Sequence, residues 1–222
     1  MRSAIKVVII RMILVTVLFS YLFYFALKYF PLYDCVVLML FFILYLGSSI
    51  IDTFVVAEPE SYVIEDADSR SYLYMQLASM AVLLYGILDF LSFKITIISF
   101  WPEYMTTAGI IIFLLTIILR VSALRTLGIY FNLRVALYER HVLVTEGLYT
   151  HIRHPLYMAS LLTNLAFVLI FNSWGALLLV VLLVMPAVWY RVKIEEKFLL
   201  KHFKLDYEEY AKRSKYFIPG IW

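Results

Sequence analysis

Two polar stretches of this 222-residue chain concentrate the residue types that carry chemistry. The first, residues 134–157, holds three of the four histidines, His141, His151 and His154. Three imidazoles within fourteen residues invite a zinc reading, and His151 and His154 have the i, i+3 spacing of a helical pair. Pro155 disfavours helical backbone at His154, and no Asp or Cys lies close enough in sequence to complete a tetrahedron, so no metal is expected. Gly147 after Thr145-Glu146 marks a turn. Pro155 suits the first position of a helix, where its missing N–H costs nothing. Arg153 and His154 then stand beside free helix N–H groups, which favour anions.

The second stretch, residues 191–219, reads as an amphipathic helix. Leu199, Phe203, Tyr207 and Tyr210 recur at i, i+4, i+8 and i+11 and make one apolar stripe. Arg191 and Glu195 share a face at i, i+4, and Glu196 follows. All three fall where an apolar run ends, and a charge next to hydrocarbon is costly enough to be functional more often than not. Lys193, Lys197, Lys201, Lys212 and Lys215 need only attraction to anionic lipid.

The elements that position these groups follow from composition. The chain is 64% hydrophobic and 16% charged, against roughly 45–50% and about 25% in soluble domains. A chain this short cannot bury that surplus in one globular core, so it belongs in a bilayer. Its single cysteine, Cys35, excludes a disulfide framework and a multi-thiolate metal site. A transmembrane helix takes about 20 apolar residues, and that ruler marks residues 5–27, 34–57, 72–93 and 104–124. The block 156–190 is too long for one span and breaks at Asn172-Ser173-Trp174-Gly175, which predicts two helices in a tight hairpin. The expected fold class is therefore all-α, about six transmembrane helices followed by a cytoplasmic amphipathic helix. Residues 5–27 lack a small-residue cleavage site and read as a retained helix rather than a signal peptide.

Charge sets the expected orientation. From Arg120 onward there are 13 Lys and Arg against 7 Asp and Glu, a net of +6, whereas residues 1–119 carry 6 against 9, a net of −3. The positive-inside rule places 125–153 and the tail after Arg191 in the cytoplasm. A single membrane domain is expected, residues 1–119 supplying helices and 120–222 the chemistry. Asp52 and Asp89 lie near span ends, where reaching to the interface is the cheaper explanation. The hairpin would set Arg153 and His154 beside Arg191, Glu195 and Glu196, making a cytoplasmic pocket with cationic, anionic and aromatic walls. Such a pocket suits a polar cofactor from water and a lipophilic substrate from the bilayer. Neither nucleic acid nor an obligate protein partner is expected.

These residues carry a family resemblance. His141-x-Leu143-Val144-Thr145-x-Gly147-x-Tyr149, then Arg153-His154-Pro155-x-Tyr157, Arg191-x-x-x-Glu195-Glu196 and Tyr207-x-x-Tyr210 resemble the isoprenylcysteine carboxyl methyltransferase family. Arg120-x-x-Ala123, Leu127-Gly128 and Phe131 look like the approach to that motif in prokaryotic relatives. The resemblance implies S-adenosylmethionine as methyl donor and a lipophilic carboxylate, such as that of a prenylcysteine, as acceptor. It implies that His141, Leu143, Val144, Gly147, Tyr149, His154 and Tyr157 line the donor pocket, with Glu195 or Glu196 holding its ribose or amine. Arg153 and Arg191 would each take a carboxylate, Arg191 that of the substrate. A carboxylate is ionised at neutral pH, so such a transfer needs placement and dehydration rather than a general base. Aromatic faces such as Tyr149 and Tyr157 attract a sulfonium.

Two positions depart from the family pattern. Ala159 stands where a glycine is common, and Phe203-Lys204 where the family often has Phe-Gly, which predicts continuous helix in place of a turn. Three other readings remain open. A sterol- or steroid-type reductase using NADPH shares a His-Pro-x-Tyr element, but usually has Asn after the Pro and an acid after the Tyr, where this chain has Leu156 and Met158. The others are a phospholipid amine methyltransferase and a non-enzymatic transporter or scaffold.

Overall fold

The computed structural model describes residues 13, 16, 17, 19–21, 23–55, 63–138 and 141–217. Residues 23–29 are helical, but most of the expected first span, 5–27, lies outside the described residues. The elements that follow are α1 (Leu32–Val55), β1 (Val63–Asp66), α2 (Ser71–Leu88), α3 (Pro102–Leu127), β2 (Ala136–Tyr138) and α4 (Pro155–Ile170). A final helix, α5, runs over Trp174–Arg213. Single π-helical turns extend α2 through Asp89–Phe93 and interrupt α5 at Val180–Val184.

Four helices are long and apolar enough to cross a bilayer: α1, α2 with its π turn, α3 with the 3₁₀ turn that follows it, and α5. At 1.5 Å per residue the part of α5 from Trp174 to Phe203 measures about 45 Å, half as long again as the roughly 30 Å hydrocarbon thickness. The last apolar helix thus runs on directly into the amphipathic stretch as far as Phe203, before the break at Lys204. The 16 residues of α4 come to about 24 Å and fall short of that thickness.

Local sequence explains most of the boundaries. Pro102 and Pro155 open α3 and α4, and Gly128, at φ 53°, ends α3. Asn172 takes φ 50° between α4 and α5, a conformation Asn tolerates better than most residues. The hydroxyl of Ser173 then caps α5 by accepting from the Ala176 N–H at 3.2 Å.

The most extensive helix packing is between α3 and α4. It depends on Gly109, where a Cβ would stand 2.7 Å from the Ile170 backbone nitrogen, so the two backbones meet without side chains between them. The Thr106 hydroxyl donates to the Ile170 carbonyl at 3.1 Å and accepts from Asn172 Nδ2 at 2.8 Å, fixing the end of α4. Deeper in the bundle Phe41, Phe113, Phe167 and Phe171 make a buried aromatic cluster, with Phe41 edge-on to Phe167 at 5.5 Å and to Phe171 at 4.9 Å.

Three expectations need correcting. The chain is mostly helical but not all-α, because β1 and β2 pair antiparallel, Asp66 opposite Ala136 and Glu65 opposite Leu137. Strands of four and three residues are too short to leave a periodic signal, and each is held only by its distant partner. Asp89 does not reach out to the interface. It is fully buried and accepts from the N–H groups of Ile95 at 2.9 Å and Thr96 at 3.1 Å, and from the hydroxyls of Thr96 at 2.5 Å and Ser173 at 2.7 Å. That full set of donors is what makes the burial tolerable. At Lys204 the expected continuous helix breaks, with φ 45° and ψ −116°. The turn is kept although the glycine that would suit it is absent.

Candidate active site

The start of α4, the middle of α5, the start of α2, the end of α3 and the irregular segment 128–149 enclose a cavity of about 230 Å³. The β1–β2 sheet brings the 63–68 segment of the N-terminal half against its rim, and the Ala67 N–H donates to the Val135 carbonyl at 2.9 Å.

Arg191 is the most heavily engaged group in the wall. Its side chain is buried, and Nη1 donates to Asp68 Oδ1 at 2.5 Å and to Ser71 Oγ at 2.9 Å. Nη2 donates to the Leu133 carbonyl at 2.5 Å, and Nε to the Tyr157 hydroxyl at 2.8 Å. Tyr157 passes its own proton donation on to Glu195, so that Asp68, Arg191, Tyr157 and Glu195 form one chain of charge-assisted hydrogen bonds. The i, i+4 pair seen in the sequence is joined not directly but through a tyrosine from α4.

A second cluster lies behind the first. Glu196 accepts from Arg153 Nε at 3.1 Å and from the Tyr207 hydroxyl at 2.6 Å, and meets His154 Nε2 at 2.7 Å. Arg153 also donates through Nη1 to the carbonyls of Ala211 at 2.8 Å and Ser214 at 2.7 Å, where α5 ends, and lies 4.2 Å from the centre of the Tyr216 ring. These contacts tie the start of α4 to the last turn of α5, a helix end whose carbonyls need donors.

His141, Leu143, Val144, Tyr149, Arg153, His154, Tyr157, Arg191 and Glu195 all line the cavity. Gly147 and Glu196 do not. Gly147, at φ 55°, packs its backbone on Thr126, where a Cβ would meet Oγ1 at 2.9 Å; Glu196 serves Arg153, His154 and Tyr207. Of the two adjacent acids it is thus Glu195 that lines the cavity. Burial, with Glu195 as a second cause, raises the Tyr149 hydroxyl well above its usual pKa. Burial, with His202 as a second cause, lowers that of His141. Tyr149 therefore stays protonated and His141 neutral at pH 7.

Sequence reasoning missed Asp68, Ser71 and the Leu133 carbonyl as partners of Arg191, and Tyr72, Met75 and Gln76 as parts of the wall. Only Asp68 left a signal, as the last acid of an acidic loop at 58–68.

Residues 109–201 match the model of the "Isoprenylcysteine carboxyl methyltransferase (ICMT) family". Among solved structures the chain is similar in fold to the eukaryotic intramembrane Ras methyltransferase ICMT, with a TM-score of 0.51 and 23% identity over 85% of this chain. It spans 65% of the length of that structure. No curated protein sequence matches. The matched segment runs from the packing face of α3 to the part of α5 that carries Arg191 and Glu195. The chain is an integral membrane protein, and the segment that builds much of its cavity, residues 109–201, is similar to the isoprenylcysteine carboxyl methyltransferase family.

Proposed function

We propose that this protein transfers a methyl group from S-adenosylmethionine to the carboxylate of a lipophilic acceptor of the prenylcysteine class. The observation that carries this reading is the single cavity in which a carboxylate, Glu195, and a pair of tyrosines, Tyr149 and Tyr157, meet a wall of arginines. The donor set fits the cofactor. Glu195 offers an acceptor for ribose hydroxyls or an ammonium, Leu143 and Val144 an apolar surface for a purine, and the tyrosine rings electron-rich faces for a sulfonium. S-adenosylmethionine, when bound, would supply a sulfonium methyl carbon that a carboxylate oxygen can attack, the carbon–sulfur bond breaking to release a neutral thioether with no proton moved.

The protein's own contribution is placement and electrostatics. Arg191, locked by Asp68, Ser71 and the Leu133 carbonyl, holds Tyr157, and Tyr157 holds Glu195, so the donor's polar groups meet a wall that does not reorganise. Arg153 and Arg191 give the acceptor side positive potential. Apolar lining such as Leu127 and Phe198 helps keep water from the nucleophile. We read the membrane arrangement as six spans, the last two forming a hairpin, with the cavity facing the cytoplasm.

Calorimetry on detergent-purified protein tests the donor. Heat with S-adenosylmethionine or S-adenosylhomocysteine and none with NADPH supports a methyltransferase, whereas the reverse selects a reductase. Heat with none of the three would leave a non-enzymatic membrane protein. Labelled methyl transfer to a panel of lipid carboxylates, thiols and amines then identifies the acceptor, and transfer to amines alone would overturn the carboxylate assignment.

A further inference from the structure

Each arginine of the cavity wall has a carboxylate partner, but they differ in how much of the guanidinium that partner uses. Arg191 donates from Nε, Nη1 and Nη2, and Arg153 from Nε and twice from Nη1. Arg134 gives Asp66 one bond from Nη1 at 3.1 Å, but its side chain is 67% exposed. Arg120 combines spare donors with a more enclosed position. Its Nε alone is engaged, with both oxygens of Asp52, at 2.9 Å to Oδ1 and 2.7 Å to Oδ2. Nη1 and Nη2, with four N–H donors, make no hydrogen bond among the described residues, and the side chain is 35% exposed at the cavity wall.

The position of this pair adds a second observation. Asp52 and Arg120 lie on the apolar helices α1 and α3, where a charge is expensive and calls for a use. Their chain neighbours Ile51, Ile117, Ile118 and Val121 line an exposed, largely apolar groove that Ser122, Arg125 and Thr126 complete. Arg120 thus stands on the cavity wall next in sequence to residues of an apolar groove, a position where an amphiphile could keep its tail in the groove and its head in the site.

We propose that Arg120 grips the carboxylate of the acceptor end-on through Nη1 and Nη2, while Asp52 fixes its Nε. Two parallel N–H···O bonds match a carboxylate, and each oxygen keeps a second lone pair for attack. Asp52 sets the plane of the fork without occupying it. The acceptor's chain lies in the groove of Ile51, Ile117, Ile118 and Val121. This rests on the reading of the acceptor as a lipophilic carboxylate, and it gives the direct contact to Arg120 rather than to Arg191, whose donors are already committed.

The test compares N-acetyl-S-farnesylcysteine with its carboxamide, which has the same tail and no charge, on the full-length protein in nanodiscs with S-adenosylhomocysteine present. The wild type should prefer the acid. Arg120→Gln should weaken acid binding, or raise the KM for it, about 10- to 100-fold, the worth of a charge-assisted pair. It should leave carboxamide affinity and S-adenosylmethionine affinity within about twofold. Arg120→Lys, which keeps the charge without the fork, should fall between. Equal loss of acid and amide in both variants, loss of donor affinity alone, or an unchanged acid preference would each overturn the assignment. If the wild type binds S-adenosylmethionine but not the acid over the amide, this inference fails and the donor reading stands. If it binds no S-adenosylmethionine, the proposed function fails, and the acid preference of wild type against variant still decides Arg120.

Discussion

Asp68 and Arg191, 123 positions apart, are joined at 2.5 Å from Oδ1 to Nη1, with both side chains buried. The pair links a loop of the N-terminal half to the helix that carries the cavity's carboxylate. Removing one partner of a buried ion pair leaves an uncompensated charge and costs about 3–5 kcal/mol. Asp68→Ala should therefore lower the thermal unfolding midpoint by several degrees and weaken donor binding through Tyr157 and Glu195. Asp68→Asn, which keeps an acceptor oxygen, should recover much of both. An unchanged midpoint for Asp68→Ala would mean that Ser71, the Leu133 carbonyl and Tyr157 hold Arg191 by themselves.

Lys204 sits at φ 45° and ψ −116° on an exposed position of α5. A side chain in such a region costs on the order of 1–3 kcal/mol, part of which a glycine gives back as unfolded-state entropy, about 0.5–1 kcal/mol. Lys204→Gly should thus raise stability by about 1 kcal/mol, or about 2–4 °C for a chain of this size. Lys204→Val should lower it. Differential scanning fluorimetry in detergent reads both, and a lower midpoint for the glycine variant would mean that the bend is not strained.

How much of this was legible beforehand depended on range. Helices α1, α2 and α3 announce themselves by apolar length, and Pro102, Pro155 and Asn172 mark boundaries by local stereochemistry. Arg153, His154, Arg191 and Glu195, expected together from the two polar stretches that flank the long apolar block, do line one cavity. What stayed hidden is held by partners far away in sequence. The β1–β2 pairing joins residues about 70 apart, Asp68 finds Arg191, and Asp89 is satisfied by Ser173, 84 positions on. No local pattern says which distant donor a buried carboxylate will meet. Nor could spacing separate Glu195 from Glu196, since adjacent helical residues differ by about 100° in direction and which of them faces a cavity depends on packing.

That last difference makes a double prediction. Glu196 serves Arg153, His154 and Tyr207, while Glu195 lines the cavity. Hydrogen bonds to a charged group contribute about 1.5–3 kcal/mol each, so Glu196→Ala should destabilise by several kcal/mol and loosen the end of α5. Glu195→Gln should unfold within a few degrees of wild type yet weaken S-adenosylmethionine binding about tenfold or more, as expected for loss of one charged hydrogen bond. Thermal unfolding and calorimetry on the same two preparations separate the roles. The opposite pattern, with Glu195 structural and Glu196 donor-binding, would exchange the two assignments.

The pH dependence follows from His141, which lines the cavity with its ring 5.0 Å from that of Tyr130 and 5.9 Å from that of Phe203. Burial first, and His202 second, lower its pKa from the ordinary 6.5. The unfolded chain then binds the proton more readily than the folded one. Stability from the neutral imidazole is complete above the unfolded value, about 6.5, and declines as pH falls from there toward the lowered folded pKa. Unfolding midpoints measured between pH 8 and pH 5 should hold flat above about 6.5 and drop below it. His141→Gln, which cannot be protonated in this range, should shallow that drop while leaving the midpoint at pH 8 within a few degrees. If the acid-side slope is the same in wild type and variant, the proton is taken up elsewhere; Asp66 is ruled out over that range, since the N–H of Asp68 and then Arg134 hold its pKa below an already low carboxylate value.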